Sequence, residues 1–161
     1  MRFHRIIKLI AEKENYAMKQ NILIIEENVA IRYLLTTVLR EKYKTIAHPD
    51  CYQAANDLKN KDIKLVVVNI EGRNTPNYEF LLHLKSSSFY ANIPVLVISD
   101  NTSTEFRFKC LELGVEAFFL KPFDPLNLME CVNVVSLMSD NMKRMKEDMI
   151  PEVSYKVGLT T

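Results

Sequence analysis

Ile22-Leu23-Ile24-Ile25-Glu26-Glu27-Asn28-Val29-Ala30-Ile31-Arg32-Tyr33-Leu34-Leu35-Thr36-Thr37-Val38-Leu39 changes its hydrophobic period partway along, and that change decides the fold class. The first four residues are an unbroken apolar run, short enough for a buried strand. Further on, Ile31, Leu34, Leu35, Val38 and Leu39 fall at i, i+3, i+4, i+7 and i+8, which is one face of a helix. Asn28 stands just ahead, where its side chain can cap the first turn.

The same alternation recurs along the chain. Lys44–His48 reads as a short strand, Pro49 and Asp50 punctuate, and residues 52–58 read as a helix. Leu65-Val66-Val67-Val68 is a second strong strand. A loop with Gly72, Asn74 and Pro76 leads to a helix carrying Tyr78, Phe80, Leu81, Leu82 and Leu84, ended by Ser86-Ser87-Ser88. Residues 93–98 form a third strong strand, with Pro94 near its start. Residues 102–113 read as a helix capped by Thr102 or Ser103 and stopped by Gly114. Ala117–Leu120 is the last strand, and Asp124-Pro125 open a long final helix reaching about Lys146. Strands that are apolar throughout and alternate with helices predict a doubly wound, five-stranded parallel α/β sheet covered on both faces. Its functional crevice should lie at the carboxyl ends of the strands.

Composition narrows the function classes. Hydrophobic residues at 48% and charged residues at 25% are ordinary for a soluble globular domain. Twenty-one basic residues against 20 acidic ones give no reason to expect nucleic acid or an anionic membrane as partner. Only 3 glycines are present, too few for a Gly-rich phosphate loop of the Walker or dinucleotide type. Cys51, Cys110 and Cys131 are far apart with no CxxC spacing, so reduced thiols of a cytoplasmic protein are expected rather than a zinc site or disulfide framework. No apolar run is long enough to span a bilayer.

Reading the strand ends collects Glu26 and Glu27 after the first strand, Asn69 at the third, Ser99 and Asp100 at the fourth, and Lys121-Pro122 at the fifth. These pieces resemble the receiver domain of bacterial response regulators, a flavodoxin-like (βα)5 fold. The resemblance is carried by Ile22-Leu23-Ile24-Ile25-Glu26-Glu27-Asn28, by residues 65–69, by Ile93-Pro94-Val95-Leu96-Val97-Ile98-Ser99 and by Phe119-Leu120-Lys121-Pro122-Phe123. It covers residues 21–139, with an N-terminal extension over 1–20 and a helix extension and tail over 140–161.

The resemblance implies roles. An acidic pair, here Glu26 and Glu27, helps bind magnesium. An aspartate after the third strand accepts a phosphoryl group. A hydroxyl after the fourth, here Ser99, and a lysine after the fifth, here Lys121, contact the phosphoryl oxygens. Phe118 stands at the aromatic switch position, and the peptide before Pro122 is expected to be cis. The physical logic is sound, because phosphoryl transfer needs an in-line nucleophile and cations to neutralise oxygens.

This chain departs from the pattern at the acceptor. Asn69 stands where the aspartate belongs, and a neutral carboxamide is a poor nucleophile. Glutamates replace the usual shorter pair, which shifts a geometry that magnesium tolerates badly. The cofactor expectation is therefore none, or magnesium held weakly by Glu26, Glu27 and a backbone carbonyl near Glu71. Lys121 is expected to pair with Glu26 and Glu27 or to reach water beside a vestigial pocket. Ser99 can equally be a local backbone hydrogen-bonder, and Phe118 plain packing. Arg73 and Asn77 occupy the customary proline and glycine positions of the next loop, and Asn tolerates positive φ better than most residues.

Outside the receiver, Phe3, Ile6, Ile7 and Ile10 suggest an amphipathic helix, although Met18 also resembles the start of a free-standing receiver. Met138, Met142, Met145 and Met149 form a stripe along the last helix, ordinarily read as core or helix-partner packing. Residues 151–161 read as a tail, and no DNA-binding output domain fits after the receiver core. The resulting expectation is a non-enzymatic pseudo-receiver in two-component phosphorelay signalling, acting by phosphorylation-independent protein interaction. Its partners would be a histidine kinase or another receiver. A homodimer would use the face built from residues 102–113, 115–120 and the last helix. The alternatives are an active phosphorelay receiver with a non-standard acceptor such as Ser99 or Glu27, and a flavodoxin-like cofactor-binding protein.

Overall fold

The computed structural model describes residues 2–17 and 19–149, with side chains over 2–9 and 19–148. The elements are α1 (Arg2–Ala17), β1 (Asn21–Ile25), α2 (Val29–Leu39), β2 (Lys44–His48), α3 (Cys51–Asn60) and β3 (Ile63–Asn69). They continue as α4 (Pro76–Ser86), β4 (Val95–Ser99), α5 (Thr104–Glu112), β5 (Ala117–Leu120) and α6 (Pro125–Met149). The five strands form one sheet in the order β2-β1-β3-β4-β5, and every pairing is parallel. The chain reverses its direction of winding between β1 and β3, so the crevice at the topological switch point opens where those two strands end.

Side chains alternate across the sheet with the period of a strand. Leu23, Ile25, Val66, Val68, Val95 and Val97 face α3, α4 and α5 in one core. Ile22, Ile24, Leu65, Val67, Leu96 and Ile98 face the opposite way, onto Leu35 and Leu39 of α2 and Leu128 and Val132 of α6. Both faces are covered, which is why these strands read as continuous apolar runs. The three cysteines are free thiols. Cys51 and Cys110 belong to the first core, and burial pushes the Cys110 thiol up to about 11.

Local chemistry sets the helix starts. Asn28 accepts from Ile31 N–H at 3.0 Å, and Asp50 accepts from Tyr52 and Gln53 N–H. Thr75 and Ser103 cap α4 and α5 in the same way. Gly114, at φ 89°, ends the α5 turn in a conformation that side chains with a Cβ resist. Several details differ from the sequence reading. Strand β4 begins at Val95, because Pro94 has no N–H to give the ladder, although its carbonyl still accepts from Val66 N–H at 2.9 Å. Helix α5 runs over Thr104–Glu112 rather than 102–113, and of the two caps the sequence offered, Ser103 is the one used. Asn77 is not a positive-φ turn residue: it lies in the first turn of α4, and among the described residues only Gly114 has positive φ.

Helix α6 is anchored by Leu128 and Val132 and by Tyr43, whose hydroxyl donates to Asn133 at 2.6 Å. Gln20, at the entry to β1, donates to Asp140 at 2.9 Å. The methionine stripe of this helix is not core among the described side chains. Met138, Met142 and Met145 are 60%, 57% and 66% exposed, and the side chain of Met149 lies outside the described residues. Phe3, Ile6 and Ile7 of α1 are exposed as well, while the side chain of Ile10 and the tail over 151–161 fall outside the described residues. No helix among the described residues is long and apolar enough to cross a membrane.

At the edge of the sheet, Asp57 of α3 takes His48 Nε2 on one oxygen and Lys61 Nζ on the other, the latter at 2.9 Å. His48 and Lys61 hold its carboxyl below the usual carboxylate range. A lowered folded-state value stabilises the fold above the ordinary carboxyl range, and that contribution is lost as pH falls through the lowered value. Asp57→Asn is expected to destabilise the protein by about 1 kcal/mol at neutral pH, as for a partly solvated ion pair. Urea titrations should show the gap between variant and wild type closing under acid conditions.

Candidate functional site

The site is assembled where β1, β3, β4 and β5 end. Glu26 follows β1 directly and is fully buried. Its Oε1 accepts from Asn28 N–H at 2.9 Å, which bends the chain into the capping turn of α2. Its Oε2 lies 2.9 Å from Lys121 Nζ, off the direction of a hydrogen bond, so the contact is held by charge. Lys121 follows β5, and its N–H donates to the Ser99 carbonyl at 2.8 Å, which carries the strand pairing one residue further. That pairing aims the side chain across the crevice, where it is 8% exposed. The Lys121–Pro122 peptide is cis.

Glu27 takes a different course from the one its position suggested. It is exposed and forms no ion pair with Lys121; its carbonyl and that of Glu26 accept from Arg32 Nη1 at 3.2 and 2.7 Å. Adjacent residues leaving a strand point in opposite directions, so only one of the pair can turn inward. The lysine's second carboxylate comes instead from Glu71, two residues past β3, whose Oε1 is 3.7 Å from Nζ. Asp100 stands 4.0 Å away.

Asn69 closes β3 and is 4% exposed. Its carbonyl accepts from Asn77 Nδ2 at 2.7 Å. Its own Oδ1 is buried and has no hydrogen-bond partner among the described residues. Ser99 is fully buried at the end of β4, its Oγ 3.4 Å from Glu71 Oε2 and 3.0 Å from Asn101 N–H. Phe118 lies beside Val97 in the sheet and packs edge-on against Phe106 of α5 at 5.9 Å, with the Arg107 guanidinium 6.0 Å from its centroid.

Magnesium fits this arrangement poorly. Among the described residues no three His, Cys, Asp or Glu side chains are placed to share a metal. Both Glu26 oxygens are engaged, and the Glu71 carbonyl accepts from Asn101 Nδ2 at 2.9 Å. An incoming ion would have to displace Lys121 and Asn101 and would find a neutral oxygen at Asn69. The Glu71 carboxylate and Asn101 escaped the sequence reading, which considered only a backbone carbonyl near Glu71. The available signal was position, since both residues lie within two of a strand end.

Comparison with known proteins gives a consistent result. Residues 22–133 match the family described as the response regulator receiver domain. The chain is 26% identical over 144 residues to the phosphate regulon transcriptional regulatory protein PhoB of Escherichia coli, covering 89% of this chain and 60% of that one. It therefore spans less than two thirds of that relative's length. Chemotaxis response regulator CheY4 of Vibrio cholerae superimposes with a TM-score of 0.65 at 19% identity, over 73% of this chain and 99% of that one. NtrX of Brucella abortus superimposes with a TM-score of 0.72 at 21% identity, over 85% of this chain and 31% of that one. At these identities the two structures speak for the fold alone.

Removing one member of a buried ion pair leaves the other uncompensated. Lys121→Met should therefore destabilise the fold by about 3 kcal/mol or more. Adding Glu26→Gln should recover part of that loss, and urea denaturation of the two single variants and the double variant measures the coupling.

Proposed function

The chain belongs to the response regulator receiver domain family, and from that premise we propose that it serves two-component signalling as a pseudo-receiver, a protein-binding module that works without aspartyl phosphorylation. Receiver domains are signalling modules that interact with histidine kinases and other signalling proteins, and they generally bind magnesium weakly. The observation that carries the proposal is Asn69. It ends β3 at the same edge of the sheet where Glu26, Ser99 and Lys121 follow or end their strands, and it has no carboxylate with which to attack a phosphoryl donor. The committed ligand atoms around it give the same direction for the metal.

The neighbouring groups are poor substitutes as acceptors. Ser99 Oγ is buried and engaged by Glu71 and Asn101, and Glu27 is exposed and unpaired with Lys121. The lysine that would meet a phosphoryl oxygen is already neutralised by carboxylates. A cytoplasmic signalling partner, either a histidine kinase or another receiver, is the expected binding target. The surface offered is the face of α5, β5 and α6, where Leu111, Leu120, Val134, Leu137 and Met138 are exposed. Such an apolar area on one face marks an interaction site, and methionine adapts to varied partners.

Acetyl phosphate with magnesium should leave the intact mass of the protein unchanged. A base-labile adduct of one phosphoryl group would sink the reading. Replacing Met138, Met142 and Met145 by glutamate should weaken self-association or partner binding roughly tenfold or more while leaving circular dichroism unchanged. Sedimentation of the variant decides between this face and the exposed Phe3, Ile6 and Ile7 of α1.

A further inference from the structure

Glu71 gathers the groups that the receiver family reserves for a phosphoryl group. Its Oε2 accepts from Asp100 N–H at 2.9 Å and faces Ser99 Oγ at 3.4 Å, and its Oε1 lies 3.7 Å from Lys121 Nζ. The hydroxyl after β4, the amide next to it and the lysine after β5 thus converge on one anionic carboxylate. Asn69, at the position from which a phosphoryl group would be presented, closes β3 at the same edge of the sheet, with a buried side-chain oxygen that has no hydrogen-bond partner among the described residues. We propose that the Glu71 carboxylate is a built-in substitute for the phosphoryl group, holding the loop between β4 and α5 permanently in its anion-bound arrangement. This rests on the reading that Asn69 takes no phosphoryl group.

A continuous set of contacts carries the effect to the interaction face. The Glu71 carbonyl accepts from Asn101 Nδ2 at 2.9 Å, and Asn101 Oδ1 accepts from Ser103 N–H at 2.9 Å. Ser103 Oγ caps α5 by accepting from Phe106 N–H at 3.2 Å. The Phe106 ring then meets Phe118 of β5. Both the carboxylate and the backbone of one residue therefore position the start of α5 and the aromatic packing behind it. A phosphorylated receiver would need a metal and a donor for this, whereas here the charge is encoded in the chain.

If Glu71 occupies an anion seat, emptying the seat should let an external oxyanion fill it. In Glu71→Ala, Ser99 Oγ, Asp100 N–H and Lys121 Nζ lose their shared acceptor, while the Glu71 carbonyl still holds Asn101. Amide exchange at residues 100–103 should rise roughly tenfold, the factor that one charge-assisted hydrogen bond is worth. Inorganic phosphate at millimolar concentration should restore protection in the variant and change nothing in the wild type. Unchanged exchange in Glu71→Ala overturns the proposal. Faster exchange that saturating phosphate does not reverse overturns it too, since Glu71 would then only brace the loop. Should Glu71→Ala fail to fold by circular dichroism, Glu71→Gln keeps the size and loses the charge. It must also exchange faster at these amides, and unchanged exchange there overturns the proposal. A phosphoryl adduct on the wild-type protein would defeat the reading of Asn69 instead, and the intact mass separates that failure from this one.

Discussion

A carboxylate taken wholly out of water must have a counter-charge, and Glu26 obtains it from Lys121 at 2.9 Å. The two residues come from opposite halves of the chain, Glu26 from the end of β1 and Lys121 from the end of β5. Their pairing closes the crevice above β3 and fixes where Asn69, Glu71 and Ser99 stand in relation to one another. The same ammonium lies 3.7 Å from Glu71, so one lysine ties together the carboxylates that follow β1 and β3.

The sheet makes that convergence unavoidable. Parallel strands buried on both faces bring all their carboxyl ends to one edge. Residues close to a strand end in sequence therefore become neighbours in space, even when they are distant along the chain. The order β2-β1-β3-β4-β5 puts β3 in the centre, with neighbours on both sides, and the residue that closes it is 4% exposed.

The departures from the family pattern are mutually consistent. Where the family pattern has an aspartate this chain has Asn69, and Glu71 supplies a carboxylate to the Asp100 N–H and to Lys121, which also holds Glu26. The Glu71 carbonyl is met by Asn101 Nδ2 at 2.9 Å. Buried polar groups left unsatisfied are costly, so the edge keeps its shape because protein groups meet one another's charge and hydrogen bonds. Among the described residues at this edge, Asn69 Oδ1 and Glu26 Oε2 have no hydrogen-bond partner, and Glu26 Oε2 is met by the Lys121 charge instead.

Hydrophobic period and strand-end chemistry, both local properties, determined the architecture and located the site: Ile22–Ile25, Leu65–Val68 and Val95–Ile98 are apolar on both faces because helices cover both. Capping residues such as Asn28 and Ser103 likewise act within a few residues of themselves. The identity of Lys121's partners is a different kind of fact. Glu26 and Glu27 are indistinguishable in sequence, and only the direction in which each leaves β1 decided that one is buried and the other exposed. Glu71 and Asn101 joined the site because the loops after β3 and β4 lie side by side, a proximity that no local pattern encodes. The exposure of Met138, Met142 and Met145 was also decided in three dimensions, because a helix stripe is core or surface according to whether another element reaches it, and α6 runs past the edge of the sheet that covers its first half.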